Sequence, residues 1–433
     1  MNATISEPIA PILSSPCELL IVGAGPAGLA AALAAAPSGA RITLLDDNPA
    51  PGGQIWRAGP AVRLPPQALR LREALARCAN VRVLCGTRVV GLVGERELLL
   101  EDPERGWVQR YDKLILCTGA RELLLPFPGW TLPGVTGAGA LQALIKSGLP
   151  VAGERIVIAG SGPLLLAVAA TARKCGAQVI RVAEQASLSS LAAFTAQLAR
   201  WPGKAIQALT LVEKSYRTSS NVVSAQGNGR VESVRLQQGA KVIDIACDRI
   251  ACGFGLIPNT QLGQLLGCLL ASASGGAQGL AFDAFQATSV PDVYAAGECT
   301  GFGGSERALT QGRIAGHAAV GNIAAAQRCW PERARWEAFA NQLHRRFALA
   351  ESLKQIPRPD TLICRCEDVP HNILTQCSGW IDAKLHSRCG MGACQGRVCG
   401  AAAQFLYGWE APVPRSPLSP ARIATLASPL NSD

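Results

Sequence analysis

Apolar residues in this chain come in short unbroken runs separated by glycine-rich turns. Residues 18–22 (Glu-Leu-Leu-Ile-Val) read as a buried strand, followed by the turn Gly23-Ala24-Gly25-Pro26-Ala27-Gly28 and an Ala/Leu helix to about Ala36. A second run, Arg41 to Leu45, ends at Asp46 and Asp47, completing a strand–helix–strand unit. The same order returns further on. Arg155 to Ala159 is strand-like, Gly160-Ser161-Gly162-Pro163 is a turn, a helix runs through about Lys174, and Val179 to Ala183 ends at Glu184. Residues 287–299 predict a strand leading into a loop, and a Gly/Ala-rich helix is expected over 306–325. A Trp- and Arg-bearing helical connector should follow to about Leu353. The five prolines beyond Trp409 predict an extended tail that wraps a neighbour.

A chain of 433 residues is too long for one core, so two or three domains are expected. With 48% apolar and 17% charged residues, it has a globular profile. The apolar stretch Leu19 to Ala36 approaches the length of a membrane span. Its internal glycines instead mark a strand, a tight turn and a helix, so no span is expected. The first sixteen residues carry no Lys or Arg, and no export signal is visible. The net charge of +10 comes from scattered Lys and Arg with few aromatics between them, which argues against nucleic acid. Sixteen cysteines without an export signal point to reduced thiols or metal ligands in a cytoplasmic protein, peripheral attachment to the inner membrane included.

Both glycine turns have the context that gives such a pattern meaning: a strand before, a helix after and an acid further on. Gly23 permits the sharp turn, Gly25 lets a pyrophosphate approach the backbone, and Gly28 lets the helix close on the strand. The N–H groups of the helix start, at Pro26-Ala27-Gly28, face the phosphates. Asp46, 23 residues beyond Gly23, suits the ribose hydroxyls of an adenine dinucleotide. In the second unit Gly160 and Gly162 match, but Leu165 stands at the third glycine position. A bulky residue there should push the helix off the strand. Glu184 suits a ribose and repels a 2′-phosphate, so this site takes NAD or ATP, or else serves as scaffold.

An ordered series of further motifs makes the chain resemble the two-dinucleotide-domain flavoproteins, which include thioredoxin reductase. They are Pro51-Gly52-Gly53-Gln54, Cys117-Thr118-Gly119-Ala120, Gly255-Leu256-Ile257-Pro258-Asn259-Thr260 and Val293-Tyr294-Ala295-Ala296-Gly297-Glu298. The resemblance implies FAD in the first unit, with Gly53, Gln54, Thr118, Gly119 and Gly297 in contact with it. Glu298 stands where an Asp usually meets the ribityl chain. A helix N-terminus near Thr310-Gln311-Gly312 would face the flavin pyrimidine edge and stabilise the reduced anion. The cysteine pair that disulfide reductases of this kind need is missing between Gly23 and Ala325. Cys117, Cys175 and Cys299 are singletons, while Cys247 and Cys252 read as core thiols.

Six cysteines lie between Cys364 and Cys399. Cys364-Arg365-Cys366 and, after 27 residues, Cys394-Gln395-Gly396-Arg397-Val398-Cys399 offer four thiolates in two close pairs. This is the requirement of a [2Fe–2S] cluster, with structural zinc as the competing occupant. The segment resembles bacterioferritin-associated-ferredoxin domains, and on that likeness Cys389 stays outside the ligand set. Cys377 reads as a buried thiol.

Taken together, residues 17–408 resemble the α subunit of multisubunit amine and imino-acid dehydrogenases: opine oxidases, D-hydroxyproline dehydrogenase, cyanide-forming glycine dehydrogenase and dye-linked proline dehydrogenase. The implied fold is α/β. Two Rossmann-like domains, one inserted in the other, occupy 17–125 with 282–325, and 126–281. A connector follows at 326–360, a [2Fe–2S] domain at 361–408 and the tail at 409–433. The implied partners are a flavin-containing β subunit carrying the substrate site and a small ferredoxin-like γ subunit, with FMN at a subunit interface. The chain would then relay electrons from a C–N bond to a quinone-type acceptor. His317, His344, His371 and His386 are isolated, so no catalytic base is assigned. The rival expectation is an NAD(P)H-dependent reductase feeding electrons out through the cluster.

Overall fold

The computed structural model describes residues 16–60, 63–211, 213–272, 278–410 and 412–428. The first apolar run becomes the strand Cys17–Val22, central in a seven-stranded sheet. It lies parallel to Ile42–Asp46 on one side, pairing Leu19 with Ile42, and to Gly106–Leu116 on the other, pairing Cys17 with Tyr111. Burial on both faces explains why these strands are continuous apolar runs instead of alternating ones. Val293–Ala295 returns from far along the chain to lie parallel to Gly106–Leu116. A second sheet holds five strands in the order Tyr216–Arg217, Gln178–Glu184, Arg155–Gly160, Arg249–Gly253 and Val135–Gly137. The two sheets are joined where Ala120–Glu122 pairs antiparallel with Leu256–Pro258.

The chain rejoins the first sheet earlier than residue 282. Leu262, Cys268 and Leu280 pack in one apolar cluster with Leu20, Leu45 and Leu116. The Gly/Ala-rich helix is shorter than expected. It spans Ser305–Ala319 and breaks at Gly321, whose φ is +79°, before Asn322 caps the helix Ile323–Arg328. Its small residues decide its place. A Cβ on Gly312 would stand 2.1 Å from the Ala27 carbonyl oxygen, and one on Gly316 2.2 Å from that of Ala31. The helix therefore lies directly on the backbone of Pro26–Ala35.

The helix Trp330–Arg346 packs on the helix Ser305–Ala319 and, through Phe339, on Phe194 and Trp201. The cysteine-rich segment forms a small hairpin, Leu362–Cys364 with Val369–Pro370, and the helices Trp380–Ser387 and Cys399–Tyr407. Trp130 fastens it, donating Nε1–H to the Leu362 carbonyl at 2.7 Å with the Arg365 guanidinium over its ring.

The tail wraps this chain itself. Leu418 N–H donates to the Val90 carbonyl at 2.6 Å, and Thr425 Oγ1 donates to Glu101 at 2.8 Å. The Arg422 and Arg88 guanidinium groups bracket the same buried carboxylate. The expectations about residues 1–15, and about 411 and 429–433 of the tail, lie outside the described residues. Among the described residues no helix is long and apolar enough to cross a membrane.

Candidate functional site: a dinucleotide cradle joined to a sulfur cluster

The first glycine turn is an open cradle because side chains are sterically excluded from it. Gly23 has φ +104°, and a Cβ there would sit 2.2 Å from the Cys117 carbonyl oxygen. A Cβ on Gly28 would fall 1.8 Å from the Gly23 carbonyl oxygen. The helix Pro26–Ala35 begins with Gly25 as its N-cap, Pro26 in its first turn and no side-chain cap, so its leading N–H groups stay available to an anion. Gly53 backs onto Gly25, a Cβ there lying 3.0 Å from the Gly25 Cα. Asp46 stands at the strand end with one oxygen accepting the Ala24 N–H at 2.6 Å and the other accepting the Asn48 backbone and side-chain N–H groups. Gln54 is exposed at the rim, where it accepts a hydrogen bond from Arg57.

The later motifs close on this cradle. Thr118 Oγ1 donates to the Asn259 carbonyl at 2.6 Å, and Asn259 Nδ2 donates back to the Thr118 carbonyl at 3.0 Å. Gly119 adopts φ +69° beside them. Gly297 reaches Ala27, since a Cβ on it would lie 2.8 Å from the Ala27 Cβ. Gln311 is fully buried, with Oε1 accepting from Gly297 N–H and Thr300 Oγ1, while its Nε2 has no partner. A buried amide donor left unmade is costly, and a ligand acceptor at this cradle would satisfy it. Glu298 is half-buried. Burial raises its carboxyl above the usual range, against the Gly304 N–H and the nearby Arg307 guanidinium, which favour its charge. The helix N-terminus is at Ser305, preceded by Gly304 at φ +89°, so Thr310-Gln311-Gly312 lies inside the helix and not at its start.

Burial pushes the Cys117 thiol well up, with Cys299 adding to the effect, and lifts Cys299 to about 11. Neither is a thiolate nucleophile at neutral pH.

At the second turn Leu165 does not push the helix away. It is buried against Ile156, Ile158 and Val168, with a methyl 3.4 Å from where a Gly253 Cβ would stand. Gly253, on the neighbouring strand, supplies the space that the missing glycine would have given. Glu184 is fully buried and accepts from the Gly162 N–H, the Ala186 N–H and the Tyr216 hydroxyl. Residues 347–350 lie across this turn. Ser161 Oγ donates to the Phe347 carbonyl at 2.8 Å, Gln185 Nε2 to the Ala348 carbonyl at 2.8 Å, and Ala350 N–H to Gln185 Oε1. The sequence held no signal for this strap.

In the cysteine-rich segment the sulfurs of Cys364, Cys389 and Cys399 all lie within 4.8 Å of one another. Cys366 is exposed and Cys394 half-buried, the two sharing a hydrogen bond. Cys389, which the likeness left aside, is thus among the buried three. Thiol donors from Cys389 and Cys399, with backbone N–H groups of Gly390 and Glu367, hold the Cys364 thiol far below its ordinary value. A soft, all-sulfur set of this kind suits an iron–sulfur cluster or zinc.

The two sites are joined by bonds. Arg121 Nη1 donates to Asn259 Oδ1 at 3.0 Å and its Nε to the Arg397 carbonyl at 3.2 Å. One guanidinium therefore ties the Thr118–Asn259 hinge to the loop between Cys394 and Cys399. Burial and the neighbouring Arg397 lower the Arg121 pKa to about 10.

An open glycine cradle at the ends of the parallel strands of this mixed sheet is the arrangement of a dinucleotide-binding flavoprotein oxidoreductase. Residues 17–327 match the pyridine nucleotide-disulphide oxidoreductase family, and the chain belongs to it. It is 34% identical over 420 residues to the hydrogen cyanide synthase subunit HcnB of Pseudomonas protegens, covering 88% of this chain and 89% of that one. It is 31% identical to an opine oxidase subunit of Agrobacterium tumefaciens, covering 97% and 93%. The fold is similar to that of L-proline dehydrogenase from P. horikoshii, with a TM-score of 0.66, 19% identity and coverage of 95% and 80%.

Proposed function

We propose that this chain is the electron-transfer subunit of a heteromeric dehydrogenase that oxidises the C–N bond of an amino or imino acid, of D-hydroxyproline or opine type. In this reading it carries FAD in the first cradle and a [2Fe–2S] cluster on its cysteines. When bound, a flavin would supply two-electron chemistry and a cluster one-electron chemistry, so the pair would let electrons from a C–N bond reach a quinone-type acceptor singly. The observation that carries the reading is Arg121, which bonds the flavin-side hinge directly to the cysteine loop.

The residues of this chain have positioning roles. The turn 23–28 holds phosphates through backbone N–H groups, and Asp46 orients the ribose end. Gln311 Nε2 is the donor left over for a ligand acceptor. Cys364, Cys366, Cys394 and Cys399 would hold the cluster. No side chain is assigned to take a proton from substrate, and that step belongs to a flavin-containing β subunit. The same scheme accommodates a small γ subunit, an interfacial FMN and a cytoplasmic complex. The two relatives are themselves named as subunits of hydrogen cyanide synthase and opine oxidase.

The second reading, an NAD(P)H-dependent reductase, requires a free nucleotide turn at 160–163. The strap 347–350 across that turn favours the first reading. Co-purification with natural partners, flavin and metal analysis, and an amine panel with a dye acceptor test the proposal. Amine-dependent dye reduction by the complex, little by the lone chain, is expected. Rapid flavin bleaching by NADH, with no response to any amine, would replace it with the second reading.

A further inference from the structure

Five cysteines of this segment fall into two sulfur groups, where a four-thiolate centre needs four. Cys366 and Cys394 form an outer pair, one exposed and one half-buried. The inner group has three members, Cys364, Cys389 and Cys399, exposed by 0%, 0% and 1%. Two thiolates on one tetrahedral metal stand about 3.8 Å apart for metal–sulfur bonds of about 2.3 Å. Any two of the inner three are within 4.8 Å, so each pair can meet one metal with only small shifts.

The ordinary role of a buried cysteine is to fill a core as a small apolar group. Cys389 does not fit that role, because its thiol faces two other sulfurs. Its position is also rigidly set. The Trp380 ring is wedged against the backbone on both sides of the loop: a Cβ on Gly390 would lie 2.6 Å from its Cζ2 and one on Gly396 3.0 Å. The indole Nε1–H is buried in the same cluster and has no hydrogen-bond partner.

Resting on the iron–sulfur reading above, we propose that Cys389 is a reserve ligand for the inner iron, interchangeable with Cys399. In the exchange the Cys389 sulfur loses its proton and bonds iron, while the released Cys399 thiolate takes up a proton. One iron–sulfur bond forms, one breaks, and no electron moves. The arrangement would let the centre keep its iron when one inner thiol is oxidised or displaced.

The test uses the full chain, purified anaerobically, as Cys389→Ser, Cys399→Ser and the double variant. Iron per chain, visible circular dichroism and the EPR spectrum of the dithionite-reduced form are measured, with FAD content as the folding control. Cys389→Ser should keep its iron and spectrum. Cys399→Ser should keep at least half its iron with an altered EPR signal. The double variant should lose iron more than tenfold while retaining FAD. Equal iron loss in Cys399→Ser and the double variant, or complete loss in Cys389→Ser alone, would overturn the proposal. If Cys399→Ser also loses FAD, Cys364→Ser, which keeps both Cys389 and Cys399, gives the same reading. Zinc instead of iron in the unaltered chain would sink the iron–sulfur reading itself, and metal retention in the same variants would then judge the reserve role on zinc.

Discussion

Arg121 Nε donates to the carbonyl oxygen of Arg397 at 3.2 Å, although 276 residues separate them in sequence. Charge-assisted bonds at half-buried positions are stronger than neutral ones, and Arg121 makes a second to Asn259 at 3.0 Å. Replacing Arg121 with Met should leave flavin and metal content intact and slow flavin-to-acceptor transfer at least tenfold, a factor equivalent to about 1.4 kcal/mol and within what the loss of one bond to a charged group removes. Stopped-flow reduction of the intact complex measures this. An unchanged rate would show that the link has no part in transfer.

The strap over the second nucleotide turn predicts weak nucleotide binding. NAD and ATP should bind the unaltered chain poorly by calorimetry. Gln185→Ala, which removes the bonds to Ala348 and Ala350, should tighten binding severalfold. Tight binding to the unaltered chain would show that residues 347–350 leave the turn open.

The contact between the helices Pro26–Ala35 and Ser305–Ala319 has no room for a methyl group. Gly316→Ala places a Cβ 2.2 Å from the Ala31 carbonyl oxygen, so the helices must separate, at a cost of about 1–3 kcal/mol. Urea denaturation should report that loss, with FAD retention falling alongside it.

Glu101 makes tail attachment sensitive to acid. Burial opposes its charge, but the Arg422 N–H and the side chains of Arg88, Thr425 and Arg422 outweigh that and hold it at about 2. A carboxyl depressed by folding stabilises the bound tail above its ordinary value of about 4.5 and loses that contribution as pH falls towards about 2. Cleavage of residues 412–428 by an acid-active protease should therefore accelerate between those limits. Glu101→Gln should show faster tail cleavage by a neutral protease already at pH 7.

The first cradle was legible in the sequence because it is local. A strand, a short glycine turn and a helix fix their own geometry, and Gly28 is demanded by the carbonyl of Gly23, five residues before it. The apolar runs likewise announced strands buried on both faces. Asn259 was within reach, since it lies in a motif already recognised, but its pairing with Thr118 depends on two strands meeting from 141 residues apart. Leu165 misled because its helix packs on Gly253 of another strand, and sequence spacing says nothing about which strand lies next door.

What the sequence determined by itself, then, was the set of elements and the chemistry of their ends: two glycine turns with their acids, and a cysteine-rich segment. Tertiary structure alone decided how these meet. It brought Cys389 to within reach of Cys364 and Cys399, laid residues 347–350 over the second turn, folded the tail onto Glu101, and joined Arg121 to Arg397. Each is a contact between distant segments, and such contacts are set by how whole surfaces pack and which buried polar groups still need partners, neither of which is encoded in any local run of residues.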